Sequence, residues 1–285
     1  MKTPPRISIL LPVYNAGAFL EEAVESVLAQ SRADFELLAL DDGSNDGSTD
    51  VLRRFEAMDP RVRVVSRPNA GLVRTLNELI ELASAPLLAR MDADDVCLPD
   101  RLRAQVEFLD ANPDVVCIGG AVVFIDESGR VLHRPAPVRG DMAVQREALC
   151  GRTPICHPAS MFRAEAIRKV GGYRASTWPA EDLDLWLRLG ELGALDNVPE
   201  CVLQYRLHAA SISFSRSREQ LAQQEAVCRA AWLRRGVEGE FANTTFEIGA
   251  GAGGGFSDHA AMLAEAGLLD SPTARGIAMA SGMSA

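Results

Sequence analysis

The sequence predicts an α/β protein: a Rossmann-like, mostly parallel sheet flanked by helices, with a helical extension at its C-terminal end. Three observations predict it. Short apolar runs alternate with stretches whose apolar residues fall at helical spacing, the pattern that gives parallel strands joined by right-handed crossovers. Three of those runs end directly in polar, chemistry-bearing motifs. The 285 residues, 47% hydrophobic and 24% charged, suffice for one large α/β domain with a sizeable core.

The elements follow in order. Ile7 to Val13 is a nearly continuous apolar run, as suits a strand buried on both faces. Phe19, Leu20, Ala23, Val24, Val27 and Leu28 form a helical stripe. A second run, Phe35 to Leu40, leads into Asp41-Asp42-Gly43-Ser44, and Ser48 is placed to cap a helix reaching Met58. Val62 to Val65 is a third strand, Leu72 to Leu82 a helix, and Leu87 to Met91 a fourth strand ending in Asp92. Pro99 opens a helix to about Ala111, because a proline's missing N–H is harmless in a first turn. Val115 to Ile125 is a long strand, and Glu127-Ser128-Gly129-Arg130 reads as a hairpin turn. Residues 1–215 thus form one unit, with a nucleotide-binding half at 1–113 and an acceptor half at 114–215. Residues 216–235 carry an amphipathic helix with Leu221, Val227, Cys228, Ala231 and Trp232 apolar. Residues 236–285 form a tail rich in Gly, Ala and Ser, read as flexible. Gly249, Gly251 and Gly254 match a dinucleotide fingerprint, but too few residues follow for such a domain.

The net charge of −10 excludes a nucleic-acid binder, which needs a basic surface. It also means that an anionic nucleotide would need a cation to offset repulsion. The six cysteines form no Cys-x-x-Cys pair and no zinc spacing with histidine, which fits reduced thiols in the cytoplasm. Pro12 and Tyr14-Asn15 interrupt the N-terminal apolar patch, so it is not a signal peptide. No apolar run approaches the roughly 20 residues of a membrane span. The 216–235 helix is read as packed on the core with its basic face solvated; the alternative is peripheral contact of that face with anionic headgroups at the membrane's inner face.

The polar motifs follow the first, second and fourth strands. The carboxyl ends of parallel strands share one edge, and ligands bind in the crevice outside it. Tyr14, Asp41-Asp42 and Asp92-Ala93-Asp94-Asp95 should therefore converge. Oxygen-rich Asp92, Asp94 and Asp95 suit a hard divalent cation that clamps a diphosphate; the alternative is a solvated loop capping the next helix. Asp41-Asp42-Gly43-Ser44 has turn chemistry as its alternative to gripping a base or ribose. Tyr14 offers a flat face to a nucleobase. Glu181-Asp182-x-Asp184 opens a helix, where acidic residues either complement the dipole or supply a general base. His208 is read as a metal or diphosphate contact, and His157 and Trp186 as acceptor-side residues.

Ile9-Leu10-Leu11-Pro12-Val13-Tyr14-Asn15, Asp41-Asp42-Gly43-Ser44, Arg67-Pro68-Asn69-Ala70-Gly71, Asp92-Ala93-Asp94-Asp95, His157-Pro158-Ala159-Ser160-Met161-Phe162 and Glu181-Asp182-Leu183-Asp184-Leu185-Trp186 resemble, in order, the motifs of the family 2 inverting glycosyltransferases. The resemblance covers about residues 6–215. It implies a GT-A fold, a nucleotide-diphosphate sugar donor, a carbohydrate or lipid-linked acceptor, and displacement with inversion. By that analogy Asp42, with Asp41, contacts the base. Pro12 and Tyr14 line its pocket, Arg67 touches the nucleotide, and Asp92 meets the ribose or diphosphate. Asp94 binds Mn²⁺ or Mg²⁺ with Asp95 in or near the shell, and Asp182 is the base with Glu181 beside it. Tyr205-Arg206-Leu207-His208 resembles a closing segment whose histidine reaches the diphosphate. The chain lacks the Gln-x-x-Arg-Trp signature of polymerising members, which implies addition of a single sugar in surface polysaccharide or glycolipid synthesis. Two alternatives weigh less. A sugar-nucleotide pyrophosphorylase would want basic residues after the first strand, where Tyr14-Asn15-Ala16-Gly17-Ala18 has none. A non-catalytic binding homologue would not need every acidic position.

Overall fold

Burial on both faces of a central strand organises the chain. In the computed structural model, which describes residues 4–208 and 217–238, β1 (Ile7–Val13) is buried at every position. It pairs in parallel with β2 (Phe35–Asp41), and β2 with β3 (Val62–Ser66). On its other side β1 pairs in parallel with β4 (Leu87–Arg90). The parallel pairing read from alternating strands and helices holds for these four.

Beyond β4 the sheet becomes mixed. Its order is β3-β2-β1-β4, then β8 (Met161–Arg163), β6 (Val115–Ile125), β9 (Ala194–Arg206) and β5 (Val96–Cys97), with β7 (Val131–His133) on β6. The two-residue β5 (Val96–Cys97), which no apolar run announces, pairs antiparallel with β9. β6 (Val115–Ile125) carries β7 (Val131–His133) through the expected turn, where Asp126 accepts the Gly129 N–H at 3.0 Å. β8 (Met161–Arg163) lies antiparallel between β4 and β6. β9 (Ala194–Arg206) runs parallel to β6 and begins well before the apolar run at Cys201. Register jumps from Gly120↔Val198 to Ala121↔Cys201, so Pro199 and Glu200 bulge out of the ladder. Proline has no N–H to donate and is tolerated in a strand at such a bulge.

Alternation along the strands splits the core. Ile9 and Leu11 face α1 (Leu20–Leu28), α2 (Ser48–Met58) and α4 (Arg101–Ala111). Leu10 and Leu88 face α3 (Leu72–Leu82), α5 (Asp141–Leu149), α6 (Ala164–Lys169) and α7 (Glu181–Leu189). Pro12 is buried within central β1. It lies on the ladder side of Leu10, whose carbonyl accepts the Met91 N–H, but beyond the end of β4, so no strand asks it for a donor.

Ser48 does not cap α2. It is the first helical residue, and its hydroxyl accepts the Ala16 N–H at 3.2 Å. Asp46 takes the capping work, with Oδ1 accepting the Ser48 N–H at 3.0 Å. α7 begins at Glu181, so Glu181, Asp182 and Asp184 fill its first turn.

The C-terminal helix is α8 (Ser217–Arg235). Its Val227, Cys228 and Ala231 are buried against Ala148, Leu183 and Leu187, and Trp232 donates to the Leu149 carbonyl at 2.9 Å. Its apolar stripe therefore faces the protein, while Arg229 and Arg234 pair with Glu225 and Glu191. Among the described residues no helix is long and apolar enough to cross a membrane. All six cysteines are free thiols, with Cys97, Cys117 and Cys228 buried. Arg216 and the stretch containing Gly249, Gly251 and Gly254 lie outside the described residues.

Gly43 sits at the end of β2 with φ of +79°, and a Cβ there would lie 2.7 Å from the Asn69 nitrogen. Strain of this kind costs about 1–3 kcal/mol. Gly43→Ala should lower the urea midpoint with an unchanged slope; an unchanged midpoint would show that the loop relaxes freely.

Candidate active site

The loops after β1, β2 and β3 are stitched together by short polar side chains. Asn15, at φ 50°, donates its N–H to Ser44 Oγ at 2.9 Å and accepts the Asn45 N–H on Oδ1 at 2.9 Å. The Gly17 N–H donates to Asp46 Oδ2 at 2.8 Å. Tyr14 stands on this platform 55% exposed, open to a flat ligand.

Asp41 and Asp42, adjacent in sequence, point to different partners. Asp41 is buried, accepting from the Ser44 N–H (3.0 Å), Thr49 Oγ1 (2.5 Å) and Ser66 Oγ (2.9 Å). Burial raises its pKa, but these donors outweigh it and hold the carboxyl below its ordinary value. Asp41 therefore braces the loop from inside; Asp42, with which it is expected to share the base contact, is buried as well. Asp42 accepts the Ala70 N–H (2.7 Å), the Gly71 N–H (2.9 Å) and the Arg67 guanidinium, leaving capacity on Oδ2. Arg67 also pairs with Glu78 and donates to Thr75 Oγ1 at 2.9 Å. The structure thus joins two residues expected at the nucleotide into one rigid pair.

After β4, carboxylate oxygens of Asp92, Asp94 and Asp95 lie within 4.8 Å of one another. Asp95 is buried; its Oδ1 accepts the Arg206 N–H at 2.8 Å, while Oδ2 has no partner. Burial, then Asp94 and Asp92, pushes Asp95 well above the usual carboxylate range. Burial also raises Asp92, against the pull of Arg90, with which it forms an ion pair. An orphaned buried oxygen beside two half-exposed carboxylates suits a hard divalent cation, which would offset the repulsion.

His208 meets the same cluster, with Nε2 2.8 Å from Asp94 Oδ2. Arg206 holds that arrangement. Its Nε donates to the Asp94 carbonyl (2.8 Å), Nη1 to the Asp126 and Glu127 carbonyls (3.3 and 3.1 Å) and Nη2 to Glu22 (2.5 Å). Its guanidinium lies 4.8 Å from the centre of the Phe19 ring.

The N-terminus of α7 brings the second acidic group. Glu181 is buried with Oε2 unpartnered, whereas Asp182 is half-buried and reaches solvent. Burial and then the Asp182 charge push Glu181 up to about 7. Burial raises Asp182 as well, opposed by the Leu183 N–H and by Arg90. Asp184 is apart from this chemistry: it is buried against Arg188 at 2.7 Å.

His157 Nε2 and the Tyr173 hydroxyl share a 2.7 Å hydrogen bond. Burial, then Arg90, keeps His157 well below the usual imidazole value and hence neutral. Trp186 does not reach an acceptor. It is fully buried, stacked on Phe162 at 5.5 Å and edge-on to His157 at 5.9 Å, because its position on α7 faces the sheet.

Two residues of the site belong to no sequence motif. Arg90 looks like the end of a buried strand, and Tyr173 stands in no recognisable pattern. An arginine inside an otherwise apolar run is the available signal for Arg90, since a buried charge needs partners.

Comparison with known proteins agrees with this geometry. The family described as Glycosyl transferase family 2 matches residues 8–171, over half of the chain. The chain is 31% identical over 203 residues to the amylovoran biosynthesis glycosyltransferase AmsE of Erwinia amylovora, covering 70% of this chain and 75% of that protein. It is 30% identical over 209 residues to the O-antigen biosynthesis glycosyltransferase WbnJ of Escherichia coli, covering 72% and 81%. The mannosyltransferase PcManGT of Pyrobaculum calidifontis, solved with GDP-Man and Mn²⁺, superposes with a TM-score of 0.62 at 19% identity, over 98% of this chain and 80% of that one. The mixed, mostly parallel sheet between helices is the GT-A fold.

The raised pKa of Glu181 has a consequence for stability. A carboxyl whose value rises from 4.5 to about 7 on folding stabilises fully below 4.5, and that contribution is lost as pH rises through 7. Metal-free Glu181→Gln should therefore melt above the wild type at pH 8, by about 2–4 °C per kcal/mol relieved. The gap should close near the lower limit of that window. An equal gap at both ends would show that Glu181 is not a buried proton holder.

Proposed function

The chain belongs to glycosyl transferase family 2, and on that premise we propose that it moves a single sugar, with inversion, from a nucleotide-diphosphate sugar to an acceptor hydroxyl. The observation that carries the reading is a pair of acidic groups: the Asp92, Asp94 and Asp95 cluster after β4, and the Glu181–Asp182 pair on α7, where the Asp92 charge acts on Glu181. The relatives' work in amylovoran and O-antigen biosynthesis supports an acceptor in surface polysaccharide or glycolipid assembly. The GDP-Man and Mn²⁺ bound by PcManGT support the donor class and the metal.

Tyr14, over buried Pro12, offers its ring to the nucleobase, and the Asp42–Arg67 pair presents polar edges to it. Asp92 faces the ribose and diphosphate. Asp94, Asp95 and His208 would hold Mn²⁺ or Mg²⁺, which when bound stabilises the charge growing on the leaving diphosphate. Asp182 takes the proton from the acceptor hydroxyl. The oxygen attacks the anomeric carbon from the face opposite the diphosphate, the bond from that carbon to the phosphate oxygen breaks, and configuration inverts. Glu181, buried beside Asp182, is pushed up to about 7 and can hold a proton near neutral pH. His157 and Tyr173 border the acceptor side. The reaction fits a protein working in the cytoplasm at the membrane's inner face.

General-base catalysis is worth about 10²–10⁴-fold. Asp182→Asn should lose kcat on that scale while binding the nucleoside diphosphate as the wild type does; near-full turnover would remove Asp182 from the base role. Chelation should abolish transfer, and added Mn²⁺ should restore it. A thermal-shift screen of UDP, GDP, dTDP and CDP with Mn²⁺ then identifies the base, since stabilisation grows as RT ln(1 + [L]/Kd).

A further inference from the structure

The most unusual buried group in the molecule is Arg90. It ends β4 and shares the sheet face of Leu88, a face otherwise packed with Leu10, Phe162 and Trp186. It is 3% exposed. Its backbone is fixed on both sides: its N–H donates to the Ser160 carbonyl at 2.9 Å, and its carbonyl accepts from Arg101 Nη2 at 2.6 Å. The side chain therefore leaves from a rigid point.

Other buried arginines show what a structural role looks like here. Arg101, at 1% exposure, donates to Gln105 Oε1 (3.2 Å), to the Met91 and Cys97 sulfurs (3.5 and 3.8 Å), and to the Arg90 and Ser160 carbonyls. Arg206 engages Nε and both terminal nitrogens. Arg90 differs. It forms one ion pair, Nη1 to Asp92 Oδ2, and its Nε makes no hydrogen bond. The buried oxygens Asp95 Oδ2 and Glu181 Oε2 are also without a hydrogen-bond partner. The Arg90 charge opposes the burial that raises Asp92. A buried guanidinium with an unpartnered Nε is costly if it only fills space.

We infer that Arg90 is a positioning residue for the transfer reaction: from a rigid point at the end of β4, its one ion pair holds the donor-side carboxylate Asp92 in place. This rests on the transferase reading above. Arg90 touches neither substrate; it sets the carboxylate that does. A guanidinium suits the task because its planar fork fixes the direction of the pair, whereas an ammonium is a compact point charge.

The test compares wild type, Arg90→Gln and Arg90→Lys by donor kinetics, by calorimetry of GDP and UDP binding with Mn²⁺, and by crystallography. Arg90→Gln is expected to lose kcat about 100-fold, the scale of a misplacement near 1 Å, and to bind the nucleotide more weakly. Arg90→Lys should recover part of both losses. A folded Arg90→Gln with a lowered melting temperature but wild-type kcat and nucleotide affinity would make Arg90 merely structural. If Arg90→Gln does not fold, Arg90→Lys decides: wild-type kcat and affinity there overturn the need for a fork. A wild type without transferase activity would sink the transferase reading instead. The carboxylate then still reports: Asp92 should shift between wild-type and Arg90→Gln crystals, and an unmoved position overturns the inference.

Discussion

Repulsion among Asp92, Asp94, Asp95, Glu181 and Asp182 is the constraint under which this site is built. A low-dielectric edge of the sheet would not hold five carboxylates without opposing charge. One buried arginine supplies part of it: Arg90 pairs with Asp92. Arg206, whose guanidinium pairs with Glu22, orders the cluster instead, anchoring the backbone of Asp94 and giving its own N–H to Asp95. The orphaned Asp95 Oδ2 and the raised pKa values of Asp95 and Glu181 show that compensation is incomplete. A site left short of positive charge is ready for a cation and for the chemistry of a leaving diphosphate.

The nucleotide side solves a different problem, that of holding loops still. Buried carboxylates do this by accepting several backbone and hydroxyl donors. Asp41 ties Ser44, Thr49 and Ser66 together, Asp42 fixes the turn at Ala70 and Gly71, and Asp46 bridges α2 to the loop after β1. Tyr14 is left presented to solvent at 55% exposure. Rigid loops over a rigid sheet give a pre-organised surface, so little ordering remains to oppose binding.

The acceptor side rests on the packing of α7. Its apolar positions Leu185, Trp186 and Leu189 seat the helix on the sheet, and that seating aims the N-terminus at the cluster after β4. Trp186 and Asp184 serve this foundation: one stacks on Phe162, the other pairs with Arg188. Asp182 is left as the acidic residue of the motif that reaches solvent. The family's motif is thus part chemistry and part scaffold, and burial separates the two.

Local pattern alone determined much of this protein. Strand and helix periods need only neighbours two to four residues away, so β1 to β4, α1 to α4 and the convergence of Tyr14, Asp42 and Asp92 on one edge are legible in the residues themselves. The order of motifs carries the family with them. What stays hidden at that level depends on partners far along the chain. The direction of β8, the bulge at Pro199 and the two-residue β5 are set by pairing, not by period. Arg206 reaches Asp94 across 112 positions. Which loop Asp41 and Asp42 each brace, whether Trp186 is wall or core, and why an arginine ends β4 were decided by tertiary burial. A charge or a ring takes its role from what surrounds it, and those surroundings are assembled only when the chain folds.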